Sequence, residues 1–284
     1  MQLAISTDML VEGRHFFPEA DPFSLGHKSL AVNLSDLAAM GAEPVGFTLA
    51  LALPDARAEW LAPFSKGMLA LADLHNCELI GGDTTKGPLN ICITVFGEVP
   101  PRQALWRDSA QAGDDIWISG TLGDARLALA ACNKEVMLDV ALFEQAAIRL
   151  HAPTPRVALG IALRGIANAA IDLSDGLVGD IGHILERSRL GATLAVDDLP
   201  IGPVLSQQAL EVRRHFALAG GDDYELCFTA PQAQRDGVLT AAQRAGVPVT
   251  RVGSIDAAPG LRLVDGAGAP LDLKLNSFDH FASP

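Results

Sequence analysis

The chain has 284 residues, of which 49% are apolar, and its formal net charge is −13. This charge argues against a nucleic-acid surface, because binding that polyanion requires clustered Lys and Arg. The four cysteines form no CxxC pair, which disfavours a zinc ribbon or a disulfide framework and favours a cytoplasmic location. The longest apolar run, 45–53, is too short to cross a bilayer, and the start lacks a secretion signal. The length favours two domains.

The first part of the chain shows the periodicity of alternating strands and helices. Gly41 stands where the first helix should end. After the last of these strands, a polar segment with two adjacent prolines indicates a domain boundary near Gln111. The predicted strands are 3–6, 45–53, 78–80 and 90–99, and the predicted helices cover HKSLAVNLSDLAAMGA and 58–75.

The second part again mixes strands and helices, and no repeat of solenoid period occurs. The predicted strands are 116–120, 169–173, 249–255 and 261–264. One predicted helix ends at Ala131, and two others cover 177–189 and 232–245. We therefore predict an α/β (α+β) protein with an N-terminal domain over 1–111 and a C-terminal α/β domain over 112–284. Each domain should form one packed layer of sheet and helices.

Five aspartates follow apolar segments, and they carry the strongest chemical signal. A single aspartate of this kind is usually a helix cap or a turn residue. Five of them, four beside Ser, Thr or Gly, fit better with Mg²⁺, which prefers hard oxygen ligands. Divalent cations would also let an acidic chain bind nucleotide phosphates. The five are Asp8, Asp36, Asp83, Asp172 and Asp175.

The GGDTTKG segment, 81–87, is predicted to be a phosphate-binding loop. Its glycines would let the backbone approach a phosphate, and Asp83 would hold a metal. The segment lacks the Walker A spacing, and a hairpin turn before the strand at Asn90 is the structural alternative. Arg107 could grip a polyphosphate with paired hydrogen bonds, although a solvated surface arginine would look the same in sequence.

Five segments together resemble the thiamine-monophosphate kinases: ISTDMLVEGRHF, KSLAVNLSDLAAMGAEP, GGDTTKGP, AIDLSDGL and GGDDYELCF. The resemblance covers nearly the whole chain. It implies a two-domain fold like that of aminoimidazole ribonucleotide synthetase, with an N-terminal sheet domain that pairs in a homodimer. It also implies ATP as co-substrate, thiamine phosphate as acceptor, and several Mg²⁺ ions.

The resemblance also assigns residues to roles. His15 and Phe278 would otherwise read as a partly buried surface histidine and a core residue. Asp222 stands where the family often carries Glu. The implied magnesium ligands are Ser6, Thr7, Asp8, Asp36, Asp83, Asp172 and Asp175; the implied ATP contacts are Gly82, Asp83, Arg107 and Ser174; the implied substrate contacts are His15, Asp222 and Phe278.

The implied reaction is direct in-line phosphoryl transfer, for which positioning and charge neutralisation matter most. No residue is assigned as a general base, because the acceptor phosphate is already ionised at neutral pH. Family members carry a Gly-Asp-Asp segment before the ISTD strand that this sequence lacks, so we expect a truncated N-terminal domain and one carboxylate fewer. A catalytically impaired paralogue is therefore one alternative.

An ATP-dependent synthetase of the sister branches is the second alternative. Selenophosphate synthetases use a reactive Cys or selenocysteine near their start, and the hydrogenase maturation factor ends in Cys. The first cysteine here is Cys77, and the chain ends FDHFASP. The cysteine positions therefore weaken this alternative.

Overall fold

The structure, a computed structural model, describes residues 1–273 and residue 275. The strands are β1 (Gln2–Val11), β2 (Glu43–Leu53), β3 (Glu78–Lys86), β4 (Asn90–Val99), β5 (Asp115–Ser119), β6 (Ala169–Asp172), β7 (Gly191–Ala195), β8 (Leu226–Ala230), β9 (Val249–Asp256) and β10 (Gly260–Val264). The helices are α1 (Pro22–Ala39), α2 (Ala58–Leu74), α3 (Asp124–Cys132), α4 (Val140–His151), α5 (Val157–Ala162), α6 (Leu177–Ser188), α7 (Leu210–Ala219) and α8 (Arg235–Ala245), with short 3₁₀ turns between some of them. The predicted mixture of strands and helices is confirmed, and the predicted boundary at Gln111 lies between β4 and β5.

The first sheet has the strand order β1-β4-β2-β3, and only the β2–β3 pair is parallel. On one face, alternate residues of β4 such as Ile91, Ile93 and Val95 are buried beneath α1. The other face is open in this chain. Its edge strand β1 exposes Leu3 by 63% and Ile5 by 56%, so a row of large apolar side chains meets solvent.

Two predictions about local structure were wrong in this sheet. GGDTT is not a loop, because it forms the body of β3, in parallel register with β2. Glycine and aspartate are poor strand formers, but Gly82 has φ +153° and a Cβ there would stand 1.9 Å from the Leu49 carbonyl oxygen. Glycine thus permits the close approach of β3 to β2. Likewise, Asp8 lies inside β1 rather than after its end.

Helix α1 lies between the first sheet and the second, whose order is β10-β7-β9-β5-β8-β6. The central strands of the second sheet are buried on both faces: Trp117 faces the core shared with α1, whereas Ile116 and Ile118 face the core beneath α3, α4 and α6. Gly41 follows α1 with φ +62°, so the predicted glycine stop is confirmed. Every helix within 1–273 is too short or too polar to serve as a membrane span.

The crossing of α1 and α2 depends on glycine, which gives a stability prediction. A Cβ on Gly67 would stand 1.9 Å from the carbonyl oxygen of Phe23. We expect Gly67→Ala to lower the free energy of unfolding by about 1–3 kcal/mol, because the helices must separate. The matched control is Gly182→Ala in α6, where nothing lies within 4 Å of the new methyl group, and it should stabilise by roughly 0.5–1 kcal/mol. Thermal unfolding measures both, and equal shifts would contradict this account of the crossing.

Candidate active site

A cavity of about 770 Å³ opens between the two sheets, within the usual size range of small-molecule sites. Its wall is built by β1 and the turn after it, one face of α1, the loops after β6 and α7, and parts of α3 and α4. Eight of the residues that the sequence assigned to the site line it: Thr7, Asp8, His15, Asp36, Asp172, Ser174, Asp175 and Asp222.

One face of α1 forms the floor of this cavity. Lys28, Val32 and Asp36 all line it, and their spacing of four residues places them one turn apart on the same side of the helix. The rise of an α-helix separates Lys28 from Asp36 by about 12 Å along the axis. The helix therefore gives the cavity an acidic end at Asp36 and a second end at Lys28.

Hydrogen bonds between α1 and the neighbouring strands position the aspartates at the acidic end. Ser35 Oγ donates to Asp172 Oδ2 over 2.8 Å, which ties the second sheet to the helix. Asn33 Oδ1 accepts from the backbone N–H of Asp8 over 3.2 Å. Asp36 accepts a hydrogen bond from Ser6 Oγ. Ser6, predicted as a magnesium ligand, thus lies beside Asp36 but borders the acidic end from outside the cavity lining.

The carboxylates at this end repel one another. Burial raises the pKa of Asp172 to about 8, with a further contribution from the negative charge of Asp36. Burial, then Asp36 and Asp175, raises the pKa of Asp8 to about 7. Burial also raises the pKa of Asp36. Full ionisation therefore needs a compensating cation close by.

Arg107 supplies part of that compensation. Its positive charge lowers the pKa of both Asp36 and Asp172, although burial outweighs it at each site. Arg107 is exposed, and its backbone carbonyl oxygen accepts a hydrogen bond from Ser188 Oγ over 3.3 Å. Across residues 1–273, no three carboxylate, imidazole or thiol groups converge tightly enough to hold a metal ion by themselves. Hydroxyl, carbonyl and phosphate oxygens would have to complete any magnesium shell here.

The loop that carries Ser174 and Asp175 is shaped by a residue that the sequence did not single out. Asp180 Oδ2 accepts the backbone N–H groups of both residues over 3.1 Å. Burial, followed by the charge of Asp175, raises the pKa of Asp180 to about 7. Its position in the first turn of α6 is the sequence signal that could have found it, because that is where a carboxylate caps backbone donors.

The second end of the cavity is polar and strained. Asp222 has φ +66° and Tyr224 has φ +50°, conformations that are uncommon for residues with a side chain. Lys28 Nζ lies 2.6 Å from Asp222 Oδ1. His15 Nδ1 accepts the backbone N–H of Val11 over 3.0 Å, so the neutral ring carries its proton on Nε2. A proton donor and a carboxylate thus line this end.

Among the described residues assigned to the site, four do not line the cavity: Ser6, Gly82, Asp83 and Arg107. Gly82 and Asp83 lie on β3, and because β4 and β2 intervene, Asp83 is about 14 Å across the sheet from β1. Thr7 lines the cavity, but its hydroxyl is 2.9 Å from Thr94 Oγ1 and so turns away from Asp36. Arg107 lies near the acidic end without lining the cavity. Phe278 lies outside the described residues.

Two family models match the chain: AIR synthase related protein, N-terminal domain, over 1–99, and AIR synthase related protein, C-terminal domain, over 111–266. Thiamine-monophosphate kinase of Salmonella typhimurium is 45% identical over 285 residues, which cover 99% of this chain and 87% of that protein. The chain belongs to the thiamine-monophosphate kinase family. The resemblance predicted from the five sequence segments is therefore confirmed.

Solved structures of thiamine-monophosphate kinases have the same fold. The crystal structure of the enzyme from Stenotrophomonas maltophilia K279a superposes with a TM-score of 0.89 at 48% identity, covering 95% of this chain and 86% of that one. The structure of AaThiL complexed with AMPPCP and TMP gives a TM-score of 0.85 at 29% identity, with coverages of 98% and 87%. The predicted two-domain fold, like that of aminoimidazole ribonucleotide synthetase, is confirmed by these matches.

Proposed function

We propose that this chain transfers the γ-phosphoryl group of ATP to thiamine phosphate, which yields thiamine diphosphate and ADP. The observation that carries the proposal is one cavity with two chemically different ends. Asp8, Asp36, Asp172 and Asp175 form the acidic end, and His15 and Asp222 line the other. Relatives of this chain are named thiamine-monophosphate kinase, and the solved structure of one relative, AaThiL, is a complex with AMPPCP and TMP.

The acidic end fits Mg²⁺ by its donor chemistry. Buried carboxylates raise one another's pKa, so the ionised form is stabilised by a cation, and the oxygen ligands are those that Mg²⁺ prefers. When bound, Mg²⁺ neutralises phosphate charge and brings the two phosphates together. We assign Ser6, Asp8, Asp36, Asp172 and Asp175 to this role, with Ser174 and Arg107 as ATP contacts, and we leave out Thr7 because its hydroxyl lies beside Thr94.

The chain's own groups perform the rest by positioning. Asp180 fixes the backbone of Ser174 and Asp175, and Ser35 holds Asp172 against α1. The acceptor phosphate is ionised at neutral pH, so its oxygen can attack without a base. At the second end, the Asp222 carboxylate suits the positively charged ring of thiamine phosphate, and His15 lines the same cavity.

Magnesium should stabilise the protein more strongly as pH rises. The folded-state pKa values of Asp8 and Asp172, about 7 and about 8, exceed the usual 3.8. These groups therefore bind more protons in the folded than in the unfolded chain, and metal-free stability falls between pH 4 and 8. Since Mg²⁺ requires deprotonated ligands, the difference in Tm between Mg²⁺ and EDTA should be larger at pH 8 than at pH 5.5. A difference independent of pH would contradict this assignment.

We further propose a cytoplasmic homodimer in which the open faces of the first sheets meet. Ile5, Met9 and Val45 on this sheet are exposed by 56%, 54% and 48%, which is costly in water and typical of an interface. The partner's sheet would also approach Asp83, which β4 and β2 separate from its own cavity. Sedimentation at micromolar concentration should give a dimer, and a purely monomeric species would contradict the pairing.

The reaction itself is tested by product analysis. Purified protein, ATP, Mg²⁺ and thiamine phosphate should yield thiamine diphosphate on chromatography, and EDTA should stop its formation. Replacing thiamine phosphate by unphosphorylated thiamine should give no product, because the acceptor must bring its own ionised phosphate. Absence of thiamine diphosphate from the complete mixture of protein, ATP, Mg²⁺ and thiamine phosphate would contradict the proposal.

A further inference from the structure

Lys28 is a buried charge that lines the second end of the cavity. Only 4% of the residue is exposed, and it lies in the middle of α1 between the two sheets. Among the described residues it is the one lysine that lines the cavity. A lysine is seldom buried without a specific partner, because desolvating its ammonium group is costly.

The partner is Asp222, on the loop after α7. The two groups are 2.6 Å apart, and the Asp222 side chain remains 28% exposed, so it is open to a ligand while it is held by Lys28. Burial and nearby Asp222 raise the pKa of the Tyr224 hydroxyl well above its usual value, so the phenol stays protonated and faces the same carboxylate. Lys28 is thus the side chain that holds the Asp222 carboxylate, through the 2.6 Å contact.

The loop needs such fixing. Asp222 and Tyr224 both have positive φ, and a residue with a Cβ adopts that conformation at a cost that its surroundings must offset. Its backbone is anchored by hydrogen bonds from Asp222 N to Ser174 O and from Tyr224 N to Leu173 O, of 2.9 and 2.8 Å. The main chain is therefore held through the second domain, and Lys28 holds the side chain from α1.

Other charged groups near Lys28 do not replace this contact. His151 faces both Lys28 and Asp222, and its pKa is lowered, first by burial and then by Lys28, so the imidazole is neutral. Asp21 acts on His151 from the start of α1, where its carboxylate caps Ser24. Lys28 and Asp222 thus form an ion pair with each other in a cavity that Arg14 and Arg126 also line.

We propose that Lys28 is a positioning residue for the phosphoryl acceptor: its ammonium group holds the Asp222 carboxylate in the orientation that receives a cationic, phosphate-bearing ligand. The inference rests on the proposed kinase function, since thiamine phosphate is such a ligand. Lys28 reaches this end only, about 12 Å along α1 from Asp36. Loss of the Lys28 ammonium group should therefore weaken binding of the acceptor and leave ATP binding unchanged.

The test compares Lys28→Met, Asp222→Asn, the double variant and Lys28→Arg. Calorimetry without ATP gives the Kd of thiamine phosphate, and steady-state kinetics give the KM values of both substrates. We expect Lys28→Met to raise the Kd and KM of thiamine phosphate about tenfold and the KM of ATP by less than about twofold. Lys28→Arg, which retains the charge, should recover part of the affinity.

The double variant separates positioning from a structural role, and it keeps the test valid if Lys28→Met fails to fold. It leaves no unpaired buried charge, so it should fold and bind thiamine phosphate as weakly as Asp222→Asn alone. A further tenfold loss in the double variant, or equal losses for ATP and thiamine phosphate, would overturn the proposal. Wild-type protein that binds thiamine phosphate without turnover would contradict the kinase reaction alone, whereas wild-type protein that does not bind it would overturn both.

Discussion

Replacing Asp36 by asparagine is expected to lower turnover by a factor of about 10²–10³ while leaving the fold intact. Asp36 lies at the centre of the acidic end, hydrogen-bonded to Ser6 and close enough to Asp8 and Asp172 to raise the pKa of each. Asparagine keeps the shape and can still accept from Ser6 Oγ. It removes the charge that a cation and the phosphates would meet.

The same substitution should stabilise the metal-free protein. Removing one of the mutually repelling carboxylates relieves buried charge, and each kcal/mol gained raises the Tm of a domain of this size by about 2–4 °C. Asp73→Asn, at an exposed position on α2, serves as the matched control and should alter neither turnover nor Tm. Assays and thermal unfolding in EDTA provide the measurements. A less active variant that is also less stable would point to damage of the fold rather than of the site.

A homodimer of Asp83→Asn subunits should have no turnover. Mixing these subunits with Asp36→Asn subunits should restore part of it. Asp83 lies on β3, on the far side of its own sheet from β1, so a role in phosphate or metal binding requires it to serve the partner's cavity. Each mixed dimer then has one site with both aspartates and one with neither. Co-expression in equal amounts should restore about a quarter of wild-type turnover.

Two differently tagged subunits allow the mixed dimers to be purified and assayed directly. Purified heterodimers should have about half of wild-type turnover, because one of their two sites is complete. Heterodimers as inactive as either homodimer would show that Asp83 serves its own subunit. Wild-type activity in the Asp83→Asn homodimer would remove Asp83 from the site altogether.

Much of the fold follows from patterns that the sequence displays directly. The strand over 90–99 was predicted with the bounds that the structure shows, because alternate residues from Ile91 to Val99 are buried. The helix over 177–189 was predicted within one residue of α6. Such elements have one buried face, and the period of the apolar residues reveals it.

The prediction failed where long-range pairing overrides local preference. GGDTT has the composition of a turn, but β2 supplies the backbone partners that make it a strand. Asp8 looked like a residue after a short strand because polar residues interrupt the apolar run. Pairing with β4 carries β1 on to Val11. Neither partner strand is adjacent in sequence, so local patterns could not reveal the pairing.

The candidate site was predicted in its residue types more fully than in its arrangement. Aspartates beside small polar residues identified the acidic end, since magnesium chemistry selects those residues. Lys28 was missed, although it and Asp36 are the charged residues of an otherwise buried helix. That contrast is a usable signal. Asp83 illustrates the limit, because its distance from the other aspartates depends on strand order.

The most direct measurement follows the γ-phosphoryl group itself. ATP labelled at the γ-phosphate is incubated with the protein, Mg²⁺ and thiamine phosphate, and the label is traced to thiamine diphosphate or to inorganic phosphate. We expect one labelled thiamine diphosphate for each ADP formed, since the acceptor phosphate attacks directly. Label released mainly as inorganic phosphate would contradict it and favour a synthetase of the sister branches, and absence of ADP would favour an impaired paralogue.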